Sequence, residues 1–425
     1  MRRLIFLLLI TLCCLKHISA QDTTILLKAD RLFDGEMMHT GFVVAIKGNM
    51  IIAVGEEKNV QVTGPVKVIE LKGKTILPRL IEGHSHLFLH PYNETKWDDQ
   101  VLNESIAERT ARAVVHAQRT LMAGFTTVRD LGTEGAGYSD VGLKEAIEKQ
   151  IVPGPRMIVA TRAIVATGSY GPKLKNTEHV LVRGAAEVDG EDALIKEVRT
   201  QIGNGADLIK VYADYRWGQN KTTEPTFTLE ELKTVVAVAS SSGRKLAAHS
   251  STAEGMRRCV LAGISTIEHG DNGTEEVFEM MAKNKVALCP TISAGIAISE
   301  YDGWKKGTLP EPERITKKKK SFALALQKGV TICFGGDIGV YQHGDNAREM
   351  EAMVEYGMKP LEVLKSATSI NADVFGYGNK IGRLKTGLLA DVIAVAGNPV
   401  DSISNIKKVV LIIKDGKVYK NDLAK

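Results

Sequence analysis

Two histidines separated by a single residue are the first candidates for chemistry in this chain. His84 and His86 follow an apolar segment, residues 75–78, that favours a β-strand. Side chains two apart on a strand leave the same face, so both imidazoles would reach one point in space. Neutral imidazole is a common ligand of zinc and similar ions. Such a pair is more often two ordinary surface histidines, so the metal-site hypothesis depends on further ligands.

Four further residues of ligand type end other predicted strands: Lys210, His249, His269 and Asp337. Taken singly, most of them have an ordinary explanation. A histidine at a strand end is often a capped core residue, and an aspartate after two glycines often shapes a turn. Lys210 is less ordinary, because it interrupts an apolar run that favours burial. Together with the histidine pair, these residues end strands one, four, five, six and eight, and this joint pattern indicates one shared site.

The elements that would carry these residues alternate along the middle of the chain. Strand candidates are the segment before His84 and residues 124–130, 155–164, 207–212, 245–249, 264–269, 285–291 and 330–337. Helical patterns lie between or after them at 104–122, 139–151, 190–203, 228–242, 252–262, 274–283, 312–328, 346–357 and 360–370. This alternation predicts an α/β fold with a closed (β/α)8 barrel of the TIM type, whose active sites lie at the C-terminal strand ends. An open doubly wound sheet is the alternative, but the glycine-rich dinucleotide fingerprint is absent.

Both ends of the chain are instead rich in strands joined by short turns. Lys47-Gly48-Asn49 and Asp415-Gly416 are hairpin signals between apolar runs. We therefore predict a small β-sandwich domain that is built from residues 21–77 and 382–425. The barrel would occupy residues 78–381.

The first twenty residues have the pattern of a secretory signal peptide. Two arginines precede a short apolar run, and small residues precede Gln21. The run is too short for a typical membrane span, so we expect a secreted or periplasmic protein without a stable membrane anchor after cleavage. Removing residues 1–20 lowers the formal charge from +5 to +2, because Arg2, Arg3 and Lys16 are lost. This charge does not suggest a nucleic-acid partner.

Three cysteines remain beyond the predicted cleavage site, at positions 259, 289 and 333. A secreted fold held by disulfides usually has more cysteines, and an even number of them. We therefore expect these three to be buried packing residues.

Several motifs together resemble the amidohydrolase superfamily, in the branch with two metals bridged by a carboxylated lysine. Within that branch, the chain is similar to the imidazolonepropionase-like group, which includes dipeptidases of the prolidase (Xaa-Pro) and Xaa-Arg type. The motifs are His84-Ser85-His86, Arg129-Asp130-Leu131-Gly132, Ile209-Lys210-Val211, Ala248-His249, Glu268-His269-Gly270, Gly336-Asp337 and Gly387-Leu388-Leu389-Ala390-Asp391. The resemblance covers essentially residues 23–420 and implies the same barrel and split β domain.

The resemblance also implies a ligand set for two divalent metal ions, with zinc as the expected metal. His84, His86 and Asp337 would hold the first ion, and His249 and His269 the second. Lys210 would bridge them as its carbamate. A protonated lysine cannot be a ligand, but two metal ions favour the neutral amine, which can add carbon dioxide. The carbamate then supplies two oxygens and one negative charge.

The activity implied by this resemblance is hydrolysis of a C–N amide bond in a dipeptide or an N-acyl amino acid. A metal-bridged hydroxide would attack the carbonyl, and Asp337 would take the proton of the water and pass it to the leaving amine. One alternative is a hydrolase of cyclic amides or lactones that resembles imidazolonepropionase or dihydroorotase. Another, from a different class, is a non-catalytic envelope protein that uses the barrel for binding. We expect a small-molecule substrate and leave a homo-oligomer open.

Three residues in or near the barrel mouth are candidates for substrate binding. Tyr170 lies where many relatives carry Gly-His, and it either orients the scissile carbonyl or packs in a loop. Tyr212 is two residues after Lys210 on the same strand face, and His343 lies in the loop after strand eight. A further departure is Arg79, which replaces a glycine usual in relatives and would strain the chain if a positive φ were required there.

Overall fold

The computed structural model describes residues 23–173 and 181–423. The predicted signal peptide at 1–20 therefore lies outside the described residues. The strands are β1 (Thr24–Phe33), β2 (Met38–Thr40), β3 (Phe42–Lys47), β4 (Met50–Glu56), β5 (Val66–Pro78), β6 (Leu80–Ser85), β7 (Phe125–Asp130), β8 (Arg156–Val159), β9 (Ile164–Val165), β10 (Ala186–Glu187), β11 (Ile209–Tyr212), β12 (Asp214–Tyr215), β13 (Glu224–Pro225), β14 (Leu246–Ser250), β15 (Thr266–His269), β16 (Ala287–Cys289), β17 (Val392–Ala396), β18 (Val409–Lys414) and β19 (Lys417–Asn421).

The helices follow the barrel strands along most of the chain. They are α1 (Trp97–Leu102), α2 (Ile106–Met122), α3 (Ser139–Glu148), α4 (Glu191–Gly203), α5 (Leu229–Ser240), α6 (Ala253–Ala262), α7 (Glu275–Lys283), α8 (Ile292–Tyr301), α9 (Glu313–Gln327), α10 (Ala347–Glu355), α11 (Pro360–Lys365) and α12 (Asn371–Phe375). Local sequence explains many of the starts: Thr228, for example, forms a capping box with Glu231 at the start of α5. The pattern missed α8, because this helix is apolar on most sides and largely buried, so it shows little of the periodicity of a surface helix.

Eight parallel strands close into a barrel within the described part of the chain. β6, β7 and β8 pair in order, and β9, β11, β14, β15 and β16 continue the series. β8 and β9 are two halves of the predicted third strand, and the amide of Asp207 at the start of the fourth strand donates to the carbonyl of Val159 at 2.8 Å. The eighth position is taken by the extended segment 330–338, here called the eighth strand, which is joined by single β-bridges to β16 on one side and to β6 on the other. The predicted barrel is therefore confirmed.

The first barrel strand differs from the predicted one in its position. Residues 75–78 belong to β5, which pairs with β1 and β17 rather than with a barrel strand. The barrel begins at β6, whose residues are all buried. His84 is therefore the fifth residue of β6, and His86 directly follows the strand end.

Strands from both chain ends form a second sheet. Among the described residues its order is β19-β18-β17-β5-β1-β3-β4, with β2 paired to β1. β5 pairs in parallel with β1 and antiparallel with β17, so it joins the N-terminal strands to the C-terminal ones. Buried aliphatic residues from both ends pack into one cluster at this sheet. The strands form one continuous hydrogen-bonded series, so the division into two packed sheets of a sandwich, like the boundaries at 77/78 and 381/382, stays a prediction.

Arg79 connects the two parts of the fold. Its backbone does not adopt a positive φ, so the expectation of strain at this position is wrong. The guanidinium is buried and pairs with Asp391 just before β17, and it also donates to Thr127 of β7 at 2.9 Å. Asp391 in turn accepts the amide of Asp415 at 2.7 Å. Burial lowers the pKa of Arg79 to about 10, but the charge of Asp391 opposes that shift, and the guanidinium stays charged at neutral pH.

The three cysteines are buried and free within the described chain, as predicted from the sequence. The helices described for this chain include none that is both long enough and apolar enough to cross a membrane.

We expect Arg79→Met to lower the free energy of unfolding by about 3 kcal/mol or more, because it leaves Asp391 buried without its cation. Urea denaturation followed by circular dichroism would measure the change. Lys28→Met is a matched control, because Lys28 pairs with the exposed side chain of Glu57. Loss of this pair should lower the free energy of unfolding by at most about 1 kcal/mol. Equal losses in the two variants would contradict a stabilising role of the buried pair.

Candidate active site

A cavity of about 290 Å³ opens at the C-terminal ends of the barrel strands. Five of the six predicted ligands line it: His84, His86, His249, His269 and Asp337. Residues separated by more than 250 positions therefore meet at one mouth of the barrel, as the strand-end pattern predicted.

His84, His86 and Asp337 form the tightest group. The Nε2 atoms of the two histidines lie 3.5 and 3.3 Å from Oδ1 of Asp337. One ligand atom from each residue falls within 4.8 Å of the others, a spacing that suits a shared metal ion. His84 lies on β6 and His86 directly follows it, while Asp337 lies on the eighth strand, the hydrogen-bonded neighbour of β6.

Outer hydrogen bonds orient the two imidazoles. Nδ1 of His84 lies 2.9 Å from Oε2 of Glu268, and Nδ1 of His86 lies 2.9 Å from the carbonyl oxygen of Gly132. Both contacts leave Nε2 directed at Asp337. Glu268 is itself held by Arg129 at 2.8 Å. Metal-binding histidines commonly use such partners to set the tautomer and the ring orientation.

His249 and His269 form the other side of the group. Their ring centroids are 4.5 Å apart, and the His269 ring is 5.2 Å from that of His84. Nδ1 of His269 lies 2.7 Å from the hydroxyl of Thr291. His249 stacks on Tyr212 with a centroid separation of 4.6 Å.

Lys210 lies on β11 among these residues and has no exposed surface. Within the described chain, its Nζ atom is buried and has no hydrogen-bond partner. Burial lowers its pKa, although the nearby carboxylates of Glu268 and Asp337 act in the opposite direction. A buried amine without a partner is costly, which makes this position a candidate for added chemistry.

The electrostatic environment keeps three of the imidazoles neutral. Burial lowers the pKa of His84 and of His249 to about 4, and it places that of His269 well below its usual value. His86 differs: burial also lowers its pKa, but the hydrogen bond and charge of Asp337 outweigh burial and raise it to about 9. A cation bound between His86 and Asp337 would replace that proton.

A second group of possible ligands, His84, Glu268 and Cys289, is a poorer fit to a metal ion. Glu268 already pairs with Arg129 and with His84. Burial raises the pKa of Cys289 well above its usual value, so its thiol stays protonated, whereas a metal ligand must be a thiolate.

Several residues at this mouth have positive φ although they are not glycine. The angles are 58° at Asp337, 75° at His269, 49° at Thr291 and 49° at Glu134. Such conformations are uncommon for residues with a side chain and persist where the surrounding structure holds them. They turn the chain sharply at the strand ends, so that these side chains face the cavity.

The three predicted substrate-binding residues differ in their position relative to the cavity. Tyr170 and Tyr212 both line the cavity. His343 does not line it: its Nε2 lies 3.0 Å from the carbonyl oxygen of Leu89, and its ring stacks on His116 at 4.2 Å. The position of His343 therefore does not support a role in substrate binding, because the packing between its loop and α2 draws the ring away from the cavity.

Sequence reasoning missed Glu134, a buried carboxylate that lines the same cavity. It follows β7 by four residues, directly after the Arg129-Asp130-Leu131-Gly132 motif. The hydroxyl of Tyr170 donates to its Oε2 at 2.7 Å. A charged residue in a loop after a barrel strand was the available signal, since such loops carry the substrate contacts.

The barrel and the group of ligand-type residues at its C-terminal mouth are features of a barrel hydrolase. Residues 75–419 match the model of the amidohydrolase family. The protein belongs to the amidohydrolase family.

Known proteins similar to this chain agree with that assignment. Ochratoxinase from Aspergillus niger is 29% identical over 427 aligned residues, which cover 91% of this chain and 84% of that protein. Imidazolonepropionase from Alkaliphilus metalliredigens is 24% identical over an alignment that covers 88% of this chain and 89% of that protein. The solved structure of a Xaa-Pro dipeptidase with bound methionine superposes with a TM-score of 0.82 at 30% identity, over 94% of this chain and 100% of that one. The predicted superfamily and its prolidase-like character are confirmed.

We expect Lys210→Met to raise the free energy of unfolding of metal-free protein by about 1 kcal/mol or more, because it removes a buried amine that lacks a partner. Thermal unfolding in the presence of a chelator would measure the change. Lys318→Met is a matched control that should lower the free energy of unfolding, since Lys318 pairs with Asp271 at 2.5 Å. A loss of stability in both variants would contradict this view of Lys210.

Proposed function

We propose that this protein is a binuclear metal-dependent hydrolase that cleaves the C–N amide bond of a dipeptide or an N-acyl amino acid. The observation that best supports this function is the buried Nζ of Lys210, which has no hydrogen-bond partner among the described residues. Its charge acts on His84, His249, His269 and Asp337. A lysine at such a site is hard to explain by packing alone.

The residues fit two divalent ions. His84, His86 and Asp337 would hold one, His249 and His269 the other, and Lys210 would bridge them after carboxylation. In that step the neutral amine bonds to the carbon of carbon dioxide and loses one proton, which leaves one negative charge on the carbamate. Such ions, with zinc as the best match to imidazole ligands, lower the pKa of water and polarise a carbonyl.

The residues of this chain would then move the proton. Hydrolysis consumes one water: its oxygen bonds to the carbonyl carbon, and the C–N bond breaks. Asp337 accepts the proton from the water and delivers it to the leaving nitrogen. Although burial alone would raise the pKa of Asp337, its interactions with His84 and His86, including the hydrogen bond with His86, hold that pKa below its usual range. The carboxylate is therefore ionised before the reaction, as a base must be.

Two cations at the cavity support a substrate that carries a carboxylate. Arg216 and Arg314 both line it and are exposed. Neither has a carboxylate within ion-pair distance among the residues that the structure describes. A guanidinium matches a carboxylate with two parallel hydrogen bonds, and both dipeptides and N-acyl amino acids end in that group.

A second candidate is the hydrolysis of a cyclic amide or lactone. The similarity to imidazolonepropionase favours it, and the same metal ions would serve both reactions. A substrate screen that includes both bond types separates the two. A non-catalytic binding protein is the remaining alternative, and a reconstituted protein with well under one equivalent of metal would favour it.

We expect a chelator to abolish hydrolysis across a panel of dipeptides and N-acyl amino acids, and restored zinc to return it. His249→Ala should lower kcat/KM by at least about 100-fold, because it removes one predicted ligand of the second ion. His39→Ala is the matched control, since His39 pairs with Asp34 in the other sheet. Turnover that survives both the chelator and His249→Ala would overturn metal dependence.

We also propose that the protein is exported, on the basis of the signal-peptide pattern at residues 1–20. Fractionation of cells that express the full chain should then recover it outside the cytoplasm. Terminal sequencing should find Gln21 as the first residue. A protein that retains Met1 and stays with the cytoplasmic fraction would overturn export.

A further inference from the structure

We propose that Glu134 binds the α-ammonium group of the substrate, so that the enzyme prefers dipeptides with a free N-terminus to N-acyl amino acids. This inference rests on the amide hydrolysis proposed above and selects one of its two substrate classes.

The Glu134 side chain is held firmly at the cavity wall. It is only 2% exposed, and it lines the cavity beside Tyr170 and Tyr212. The Tyr170 hydroxyl donates to Oε2 at 2.7 Å, and the Trp97 indole donates to the same oxygen at 3.1 Å. The Tyr212 hydroxyl lies 3.5 Å from Oε1. All three donors are neutral, so they orient the carboxylate without cancelling its charge.

No lysine or arginine side chain forms an ion pair with this carboxylate among the described residues. The nearest ion-pair candidate is Nδ1 of His86 at 4.0 Å, but that nitrogen lies closer, at 2.9 Å, to the carbonyl oxygen of Gly132. Arg109 is close as well, yet its guanidinium donates to main-chain oxygens, including that of Glu134 itself at 2.8 Å. Buried charges are normally paired, so a carboxylate that faces a cavity without a cation indicates a cationic ligand.

Aromatic rings complete the surroundings of a cation. Tyr92, Tyr170, Tyr212 and Tyr215 all line the cavity. The centroid of Tyr170 lies 4.9 Å from those of both Tyr212 and Tyr215. The faces of such rings attract ammonium groups, most strongly where water is excluded. Burial raises the pKa of these four tyrosines, so they remain neutral and add no charge of their own.

The position of Glu134 selects the α-ammonium of the substrate. Its Oε1 atom is 4.0 Å from His86, whose Nε2 faces Asp337. In a dipeptide the α-nitrogen lies about 2.5 Å from the carbonyl carbon of the scissile bond. An ammonium held by Glu134 therefore keeps that carbon next to His86 and Asp337. An acyl group that lacks the ammonium would leave the carboxylate desolvated with neutral hydrogen-bond donors alone.

Matched substrates that differ only in the amino group test this proposal. L-Alanyl-L-phenylalanine and N-propionyl-L-phenylalanine are one pair, and further dipeptides with their desamino forms make a panel. We expect wild-type kcat/KM to favour the dipeptide of a pair by about tenfold or more, as a hydrogen-bonded ion pair in a buried site implies. Glu134→Gln keeps the shape and removes the charge, and it should reduce that preference about 10- to 100-fold.

The outcomes separate this inference from the proposed function. Glu276→Gln, at an exposed position on α7, is the matched control and should keep the wild-type preference. A wild-type preference near one, with both members of a pair cleaved, would overturn the role of Glu134 while amide hydrolysis stands. An equal loss of kcat/KM on both substrates in Glu134→Gln would also overturn the binding role, since Glu134 would then act only by positioning Tyr170. If the variant does not fold, the wild-type preference decides, and a panel without any cleavage overturns both proposals.

Discussion

The hydrogen bonds that close the barrel between its first and last strands are the constraint on which the site depends. The amide of Ile338 donates to the carbonyl of His84 at 3.1 Å, and the amide of His86 donates to Ile338 at 2.8 Å. These bonds bring Asp337 to the two imidazoles across more than 250 residues of chain. Glu82 strengthens the same seam, since its carboxylate accepts the amides of His84 at 3.0 Å and Gly336 at 2.9 Å.

The site is held in a form that stability alone would not favour. Among the described residues, Lys210 is buried without a hydrogen-bond partner and Glu134 has no lysine or arginine partner, while Asp337 and His269 have positive φ. Each feature carries a cost in folding free energy that the large apolar core around the barrel offsets. The same features point to what the cavity would bind: metal ions at the lysine and histidines, and a cationic group at the glutamate.

Two groups of polar residues surround the cavity: one orients the histidines, and the other faces the space that a substrate would occupy. Glu268 and Arg129 lie beneath the histidines and orient His84. Tyr170, Tyr212 and Glu134 line the open side of the cavity, where a substrate would enter. Orientation therefore comes from residues on strands, and selectivity is expected from residues near strand ends and in loops.

The sequence was sufficient to predict the barrel, the family and the residues at the strand ends. Strands and helices follow local patterns of apolar residues. Parallel strands in a closed barrel bring their C-terminal ends together, and this does not depend on the conformation of the loops. The position of the barrel's first strand was predicted less well, because residues 75–78 and the start of β6 at Leu80-Ile81 are both apolar and only their pairing partners distinguish the two strands.

Other features were decided by the tertiary structure alone. Residues distant in sequence decide the environment of Lys210, the ion pair of Arg79 with Asp391 and the neutral donors around the Glu134 carboxylate. The exclusion of His343 from the cavity depends on its stacking with His116. Local periodicity determines which face of an element is apolar, but burial and charge pairing arise only when separate elements pack together.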